Sequence, residues 1–281
     1  MNILEIILGQ NYFLNKMNNS KQKDSIKDFG DQFTKHSSVD GYWGSKEMLQ
    51  DIVNPFDLSE IKNKVVCEVG VGSGRIVKNL SKFDPKLIYG IEPSEAINVA
   101  KNNNKNSEVE ILFKQVSGQE IDFNNEIDYI FSLGVIHHIP EAEIVCKKIY
   151  QSLKKNGKFI IWVYGKEGNK LYLLIFNNLR KITRFLPYKI LNFLSNILNV
   201  FLSFYIFLCK FIKLPLKDYM LNVLKKCSYS KRKYIIFDQL NPTYSKYYSK
   251  DDLKSLLTTS GFKKFKVFSR YNYSWTAIAE K

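Results

Sequence analysis

The sequence predicts an α/β protein with a doubly wound, mostly parallel sheet of seven strands. Between Lys64 and Gly165, short β-branched runs alternate with amphipathic stretches of helical length, which is typical of βαβ units. A glycine-rich turn joins the first of these runs to the first helix. From Asp238 onward the pattern of helix, strand and strand would complete the sheet with an antiparallel edge.

The predicted elements follow from apolar runs and their boundaries. The strand candidates are Val65–Val69, Leu87–Ile91, Val109–Lys114, Ile127–Ser132, Lys158–Tyr164, Phe265–Tyr271 and Ser274–Glu280. The helix candidates between them are Arg75–Ser81, Ser94–Asn103, Glu141–Leu153 and Asp251–Ser260. We expect Gly157 to follow the end of the third of these helices and Gly261 that of the fourth.

The segment after Tyr164 has a different composition and predicts a helical insertion after strand five. Leu171 to Leu216 is rich in Leu, Ile and Phe, and basic residues stand at its margins. Its uncharged run of 20 residues, Ile190–Cys209, is long enough to cross a hydrocarbon core. However, the run contains a polar stripe, which predicts an amphipathic helix instead of a membrane-spanning one. The stripe consists of Asn192, Asn196, Asn199 and Ser203. The sequence leaves open whether the apolar face packs on the domain, forms a dimer contact or lies at a membrane interface.

These boundaries divide the chain into four parts. They are a flexible or helical N-terminus (1–28), a core with an N-terminal lid (29–165), the insertion (166–236) and the rest of the core (237–281). A chain of 281 residues with 45% hydrophobic content can bury one substantial core. The net charge is +15, and the segment from Lys166 to Lys233 holds 14 basic residues against two acidic ones, a net of +12. This basic excess indicates either an anionic partner or a solvated, lysine-rich face.

The cysteines and the N-terminus indicate the compartment. Cys67, Cys146, Cys209 and Cys227 are far apart and form no CxxC pair, so we expect neither a metal site nor redox chemistry. Met1–Gly9 is short, contains an acidic residue and lacks a basic leader, so we expect no secretion. The prediction is a cytoplasmic protein, with a peripheral position at the inner membrane face left open by the insertion.

The glycine turn is the first candidate binding element. Gly70, Gly72 and Gly74 follow a buried strand, and Glu68 stands two residues before the first of them. Glycines here allow a tight turn and a close approach of a ligand to the backbone. A dinucleotide fold requires G-x-G-x-x-G, but Arg75 occupies the position of the third glycine. A nicotinamide-dependent oxidoreductase is therefore disfavoured.

A carboxylate at the end of the next strand is the second element. Glu92 lies about 20 residues beyond the glycine turn. A carboxylate there can accept hydrogen bonds from both hydroxyls of a ribose. The alternative role, an acidic residue at a helix N-terminus, fits Glu95 better.

Together with the run Ile130–Pro140, these residues resemble the class I, Rossmann-like S-adenosylmethionine-dependent methyltransferases, in their small-molecule branch. In that family the glycine loop passes beneath the cofactor, an acidic residue holds the ribose, and the turn after strand four lies near the methionine moiety. The resemblance implies S-adenosyl-L-methionine as cofactor, bound by Glu68, Gly70, Gly72, Gly74, Glu92, Ser117, Gly118, Leu133, Gly134 and Val135. Ser117 stands where the family often carries an aspartate facing the adenine amino group.

The resemblance also bears on catalysis. His137 and His138 begin the turn after strand four and are candidates for a general base, with a structural role as the alternative. Aromatic residues in Phe33–His36 and Gly41–Ser45 precede the sheet, where related enzymes place a lid. A polar and aromatic cluster is the candidate acceptor wall: 238–244, with Tyr247 and Tyr248.

The implied activity is methyl transfer to a small-molecule, lipid-linked or sugar-linked acceptor. We expect no nucleic-acid partner, because nucleic-acid amino-methyltransferases carry a Pro-Pro-aromatic motif after strand four, whereas this chain has Ser132-Leu133-Gly134-Val135. Two alternatives stay open. The protein could be an RNA methyltransferase acting through its basic insertion, or a non-catalytic adenosyl-binding module recruited to a membrane or a partner.

Overall fold

Seven strands form one sheet in the computed structural model, which describes residues 3–35, 41–183, 185–240 and 244–281. They are β1 (Val65–Val69), β2 (Leu87–Ile91), β3 (Ile111–Lys114), β4 (Ile127–Leu133), β5 (Leu153–Tyr164), β6 (Lys264–Arg270) and β7 (Ser274–Glu280). Their order is β3-β2-β1-β4-β5-β7-β6, and β7 pairs antiparallel with both of its neighbours. The predicted doubly wound, mostly parallel sheet of seven strands is confirmed.

Helices surround the sheet and form the insertion. They are α1 (Ile3–Lys35), α2 (Lys46–Val53), α3 (Arg75–Leu80), α4 (Ala96–Asn103), α5 (Ala142–Ser152), α6 (Lys170–Thr183), α7 (Tyr188–Leu208), α8 (Lys217–Asn222), α9 (Tyr229–Leu240) and α10 (Lys250–Thr259). Local sequence determines where several of them begin. At α10, for example, Ser249 Oγ accepts a hydrogen bond from the Asp252 N–H, and the Asp252 carboxylate accepts one from the Ser249 N–H.

Two apolar cores cover the two faces of the sheet. One contains side chains of α5 and α10, such as Ile149 and Leu253, packed with Ile130 of β4. The other contains side chains of α2 and α3, such as Ile52 and Val77. The strand order reverses between β1 and β4, and in such sheets ligands bind at the carboxyl ends of the strands at this point.

The strand and helix bounds differ from the predicted ones mainly at β5. We expected Gly157 to end the preceding helix, but this was wrong: α5 ends at Ser152, and Leu153 already has extended backbone (φ −69°, ψ 139°). Leu153 then pairs with Ile127 of β4, so the strand begins five residues before the predicted Lys158. Pairing with the neighbouring strand β4 prevails here over the helix-stop signal of the Lys-Lys-Asn-Gly run.

The described residues after β5 form the helices α6 to α9, and α7 has an unexpected orientation. Part of its polar stripe faces the protein. Asn199 is fully buried, and its side-chain amide donates a hydrogen bond of 2.8 Å to the backbone oxygen of Tyr229 on α9, whereas Asn196 is exposed. Ser195 is also fully buried. A row of leucines on the same inner side, including Leu191 and Leu198, packs against α9. Large apolar side chains remain on the opposite, solvent-exposed side of the helix.

The N-terminal segment is helical over Ile3–Lys35, one of the two states that the sequence left open for residues 1–28. α1 contacts α4, and Gly30 lies so close to Ser94 that a Cβ at this glycine would be 2.9 Å from the serine Cβ. The helix therefore crosses the carboxyl edge of the sheet, directly above the expected ligand position.

Candidate functional site

The turn after β1 is shaped by backbone contacts. The Gly70 N–H donates to the Ile91 oxygen at 2.8 Å, which joins the turn to the end of β2. A Cβ at Gly72, where φ is +51°, would be 2.8 Å from the Phe33 ring of α1. Gly74 has φ +79° and begins α3, and a Cβ there would meet Asn104 at 2.5 Å. Gly74 therefore permits helix packing, whereas Gly70 and Gly72 line a cavity.

That cavity, the first cavity, has a volume of about 190 Å³ and lies at the carboxyl ends of β1, β2 and β4. Of the ten residues predicted to bind the cofactor, all except Gly74 line it. The topology brings these residues together from four separate loops. An adenosyl group fits this chemistry, because a carboxylate lies beside a backbone cradle from which a Cβ is sterically excluded.

Glu92 connects the glycine turn to the next loop. It is 7% exposed, and its Oε2 accepts a hydrogen bond of 2.9 Å from the Gly72 N–H. Its Oε1 accepts from the backbone N–H of Ser94 at 3.1 Å and from the Ser94 hydroxyl at 2.6 Å. The carboxylate is thus fixed in orientation at the cavity wall.

Glu68 lines the same cavity from within β1. It is 1% exposed, and its Oε2 accepts the Val77 N–H at 3.1 Å, near the start of α3. Burial raises the pKa of Glu68, and the nearby Arg75 opposes this rise. This glutamate therefore holds α3 against the strand in addition to facing the ligand position.

Ser117 and Gly118 lie after β3 and line the opposite side of the first cavity. The Ser117 hydroxyl donates to Glu120 Oε2 at 2.7 Å, and its N–H donates to the same oxygen at 2.9 Å. Because the hydroxyl proton is directed to Glu120, the lone pairs of the Ser117 oxygen can accept a hydrogen bond from a ligand amine.

The turn after β4 places the two adjacent histidines in different surroundings. His138 lines the first cavity together with Leu133, Gly134 and Val135, whereas His137 is fully buried outside it. The His137 ring packs 4.1 Å from that of Tyr164, and neither ring nitrogen has a hydrogen-bond partner among the described residues. Burial and His138 lower the pKa of His137 far below its usual value. His137 thus lies in the core rather than at a ligand.

His138 is held in one orientation. Its Nδ1 lies 2.9 Å from the backbone oxygen of Tyr244, so Nδ1 carries the proton and Nε2 is the basic nitrogen. Burial lowers its pKa to about 4, despite the opposing effect of this hydrogen bond. The imidazole is therefore neutral at physiological pH and a weak proton acceptor.

Helices α1 and α9 form the roof of the first cavity. Gln32 of α1 is 4% exposed, and its amide donates to the Asp238 carboxylate at 2.6 Å and to the Tyr234 hydroxyl at 2.8 Å. Phe29, about one turn before Gln32, and Phe33, directly after it, also line the cavity. Three hydrogen-bonding residues thus close the cavity from two helices that are about 200 positions apart.

Charged side chains meet under this roof. Arg75 donates to the Trp43 backbone oxygen at 3.0 Å and lies 5.2 Å from the centroid of the Trp43 ring. Lys231 of α9 lies 5.6 Å from the same ring, and burial together with Arg75 lowers the pKa of this lysine to about 8. Burial raises the pKa of Asp238, against the effects of Gln32 and nearby cations. Asp238 is thus a carboxylate of the cavity roof whose affinity for a proton is increased by burial.

The predicted lid and acceptor wall are partly assembled at this cavity. Trp43 lines it, but its ring already faces two cations; Tyr42 instead donates to the Asn222 oxygen at 3.3 Å. Asp238 and Gln239 line the cavity as well. Tyr248 is buried in the core of α5 and α10. His36 and residues 241–243, which belonged to these predictions, lie outside the described residues.

A second cavity of about 210 Å³ adjoins the first. Its lining is almost entirely apolar and aromatic, and leucines 198 and 202 of α7 form part of it. The two cavities share wall residues: Tyr164, Tyr219, Ile235, Gln239 and Tyr273. At this wall the hydroxyls of Tyr172 and Tyr247 donate to Gln239 Oε1 at 2.7 and 3.0 Å. Gln239 thus forms a polar boundary between the first cavity, which contains ionisable groups, and an apolar second cavity.

Sequence reasoning missed Arg75, Lys231 and Tyr234 as parts of the site. Arg75 was weighed only as the residue that replaces a glycine, and the other two belong to the basic segment that was interpreted by its net charge. An available signal was the Lys-Arg-Lys-Tyr run followed by Asp238, which would place ionisable groups one turn apart on one helix. Among the described residues, no three His, Cys, Asp or Glu side chains are grouped as metal ligands would be.

Comparison with known proteins finds similarity over part of the chain. Residues 67–161 match the family model described as a methyltransferase domain. The chain is 24% identical over 134 residues to a tRNA U34 carboxymethyltransferase of Aliarcobacter butzleri, covering 47% of this chain and 43% of that protein. It is 30% identical over 107 residues to phosphoethanolamine N-methyltransferase 2 of Caenorhabditis elegans, covering 37% and 24%. The chain thus matches less than half the length of either relative.

The fold is that of solved methyltransferases. The magnesium protoporphyrin IX methyltransferase of Synechocystis PCC 6803, solved with bound SAH, has a TM-score of 0.51 to this chain at 14% identity, covering 85% of this chain and 84% of that one. At this identity the likeness concerns the fold. The two curated relatives are named for different acceptors, an RNA and a small molecule.

Proposed function

We propose that this chain, which contains a methyltransferase domain of the class I, S-adenosylmethionine-dependent type, transfers a methyl group from that cofactor to a small or lipid-linked acceptor. One observation carries the proposal. The residues predicted from four separate motifs, apart from Gly74, line a single cavity at the carboxyl ends of β1, β2 and β4.

The residues of the first cavity match the parts of the cofactor. Glu92 would accept hydrogen bonds from the ribose hydroxyls, and Gly70 and Gly72 would lie against the adenosyl group. Ser117 would accept a hydrogen bond from the adenine amine, because its own proton is directed to Glu120. Leu133, Gly134 and Val135 would contact the methionine moiety.

The chain's own contribution to the reaction is mainly positioning. When bound, the cofactor supplies a methyl group activated by a sulfonium. Phe29 and Phe33 exclude water from above, while the walls hold the acceptor in line with the methyl group. Where the acceptor atom carries a proton, Asp238 is our candidate to take it, because burial raises the pKa of this carboxyl, whereas burial lowers the pKa of His138 to about 4.

The second cavity supports an amphiphilic acceptor. Its apolar lining suits a hydrocarbon chain, and the shared wall at Gln239 leads to the ionisable groups Asp238 and Lys231 of the first cavity. An acceptor with a polar head and an apolar tail would therefore have its reacting atom beside the cofactor and its tail under α7.

Titration calorimetry with S-adenosylmethionine and its demethylated product, S-adenosylhomocysteine, tests cofactor binding. We expect both to bind to the wild type and neither to Gly72→Arg, because the arginine side chain would fill the cradle below Phe33. Circular dichroism of the variant checks that it is folded. Absence of binding to the folded wild type would refute the proposal.

A methyl-transfer screen then tests turnover and the acceptor class. With methyl-labelled cofactor, we expect label in the lipid-soluble fraction of an extract rather than in the water-soluble or RNA fractions. Cofactor binding with label in none of these fractions would instead support the non-catalytic binding module.

RNA methylation is the second candidate function. The basic excess of the segment from Lys166 to Lys233 favours it, as does the similarity to a protein named as a tRNA-modifying enzyme. Against it, the hydrogen-bonded roof of Gln32, Tyr234 and Asp238 lies over the first cavity, so a nucleobase would have to leave its stack and pass this roof to reach the cofactor. Label in the RNA fraction that is removed by ribonuclease would establish this candidate in place of the lipid-linked acceptor.

A further inference from the structure

The solvent-exposed side of α7 is a continuous apolar surface. Its large side chains are between 39% and 67% exposed: Ile190, Phe193, Ile197, Val200, Phe201, Phe204 and Phe207. At about 100° per residue they fall in one stripe that is about 120° wide. We call this stripe the outer face of α7. Soluble monomers rarely leave so large an apolar surface without a partner.

Further apolar residues extend this surface at both ends of the helix. Phe185 before α7 is 73% exposed, and Phe211 and Ile212 after it are 72% and 51% exposed. The helix itself, at 1.5 Å per residue, is about 31 Å long. The apolar surface therefore runs along the whole of α7 and beyond its ends.

Basic residues lie around this surface, and the same stretch of sequence contains no acidic residue. Lys181, Lys189, Lys210 and Lys213 are exposed near its two ends. The Lys210 Nζ lies 5.6 Å from the centroid of the Phe207 ring, so its stem lies beside the apolar face while its charge remains at the edge. The sequence contains no Asp or Glu between Glu167 and Asp218. An apolar stripe with a cationic rim complements an anionic lipid surface.

A membrane-spanning position for α7 does not agree with the fold. By length and composition Tyr188–Leu208 could cross a bilayer, with a mean hydropathy of 1.7. However, Asn199 and Ser195 on its inner side are buried against the protein, and α9 packs along it. Before it, α6 contacts α9, and after it Tyr219 of α8 packs against the core that contains α2 and α3. A helix fixed in this way cannot cross a bilayer, so in contact with a membrane it would lie along the surface.

A second copy of the chain is disfavoured as the partner. A two-fold contact between two α7 helices would place the same lysines of both copies around one seam. With Lys189 at one end, Lys210 and Lys213 at the other, and no carboxylate in this segment, like charges would meet in either orientation.

We propose that the outer face of α7 docks on an anionic lipid bilayer, with the helix axis in the plane of the headgroup and acyl boundary. The position of the second cavity supports this. Leu198 and Leu202 line that cavity from the inner side of the same helix, so a lipid surface on the outer side would lie one helix diameter from an apolar cavity. The docking proposal does not depend on methyl transfer and is tested without it.

Vesicle flotation of the full chain tests the proposal. Vesicles of one part phosphatidylglycerol to two parts phosphatidylcholine are compared with pure phosphatidylcholine at low salt. We expect the wild type to float with the anionic vesicles, and Phe201→Glu/Phe204→Glu to lose about tenfold or more of this binding. The matched control is Leu112→Glu/Ile144→Glu, which makes the same charge change at two exposed apolar residues of β3 and α5.

Three outcomes would overturn the proposal. The first is a wild type that stays at the bottom of the gradient with anionic vesicles. The second is an equal loss of flotation in the control variant, which would indicate a general charge effect. The third is a wild-type dimer in light scattering that the Phe201→Glu/Phe204→Glu variant converts to a monomer, because a second copy would then cover this face. A circular dichroism spectrum of the variant that matches the wild type shows that its fold is intact.

Discussion

Glu92 has two functions, because its carboxylate holds the glycine turn and also faces the first cavity. It accepts one hydrogen bond from Gly72 and two from Ser94, all between 2.6 and 3.1 Å. An amide of the same size has only one oxygen to accept these bonds and those of a ribose. A substitution of Glu92 by glutamine therefore removes the negative charge and the second acceptor oxygen.

We predict that Glu92→Gln lowers the affinity for S-adenosylhomocysteine by about 10- to 100-fold, since a hydrogen bond to a charged group contributes about 1.5–3 kcal/mol. Glu95→Gln is the control. It changes an exposed carboxylate three positions along that bonds to Asn98 and Gln115 instead. Calorimetry of both variants measures the difference. Equal affinities for the two variants would exclude Glu92 as the ribose ligand.

Asp238 should give the protein a characteristic pH dependence. Burial raises its folded-state pKa above the ordinary value, so the folded state binds the proton more tightly than the unfolded one. Stability then falls as the pH rises through the window between the two pKa values, and the full penalty is present above it. We predict that Asp238→Asn is more stable than the wild type at neutral pH, and that this difference disappears below about pH 4, where Asp is protonated in both states.

The same substitution should lower turnover where the acceptor loses a proton. Removing a general base typically costs about 100-fold or more in rate, and the acidic limb of the pH profile should disappear with it. Thermal unfolding at several pH values and a kcat/KM profile provide the two measurements. His138→Gln should leave that limb unchanged, because the pKa of His138 is about 4 and its role is positional.

The sequence predicted one group of site residues well for a physical reason. Gly70, Glu92 and Gly134 follow buried strands, and parallel strands bring their carboxyl ends to one edge. Lys231 and Tyr234 lie on α9, whose position over the cavity depends on tertiary packing of the insertion. The Lys-Arg-Lys-Tyr run could mark a helix face with ionisable groups, but no local periodicity specifies that this face lies over the cavity.

At the scale of elements, the central strands were predictable and the orientation of α7 was not. β1, β2 and β7 have their predicted bounds, because β-branched runs that are buried on both faces have clear ends. For α7, periodicity separates a polar stripe from an apolar one but does not say which stripe faces inward. The usual assumption places apolar residues inside, whereas here the Asn199 amide bonds to the backbone of α9.

The contact between α1 and α9 should hold the roof of the first cavity closed over the cofactor. Gln32 is the residue that bonds to both Tyr234 and Asp238. We predict that Gln32→Ala increases the dissociation rate of S-adenosylhomocysteine by about 3- to 10-fold, because one or two hydrogen bonds that hold the roof are lost. Stopped-flow measurements can follow the fluorescence of Trp43 and Trp162, which line the cavity.

Asp31→Ala is the matched control for this contact, since Asp31 is the exposed neighbour of Gln32 on the same helix. Its dissociation rate should equal that of the wild type. If Gln32→Ala also dissociates at the wild-type rate, the roof does not limit release, and α1 would be a fixed wall rather than a lid.

At the scale of the whole molecule, α7 separates two apolar environments. Its inner leucines line the second cavity, and its outer phenylalanines face solvent. The two sides belong to different proposals, an acceptor tail inside and a lipid surface outside. Because opposite faces of one helix can be changed independently, the two proposals can be tested separately.

Filling the second cavity should select against long acceptors without affecting membrane binding. In Leu198→Trp/Leu202→Trp, larger rings would occupy the space that we assign to the apolar tail, so we predict that KM for a long-chain acceptor rises about tenfold or more. A short-chain analogue should be methylated at the wild-type rate, and flotation with anionic vesicles should be unchanged.

Phe201→Glu/Phe204→Glu should show the reverse pattern, with lost flotation and normal turnover of a short, water-soluble analogue. If both double variants lose both activities, the two faces of α7 do not act separately, and the assignment of the tail to the second cavity would be wrong.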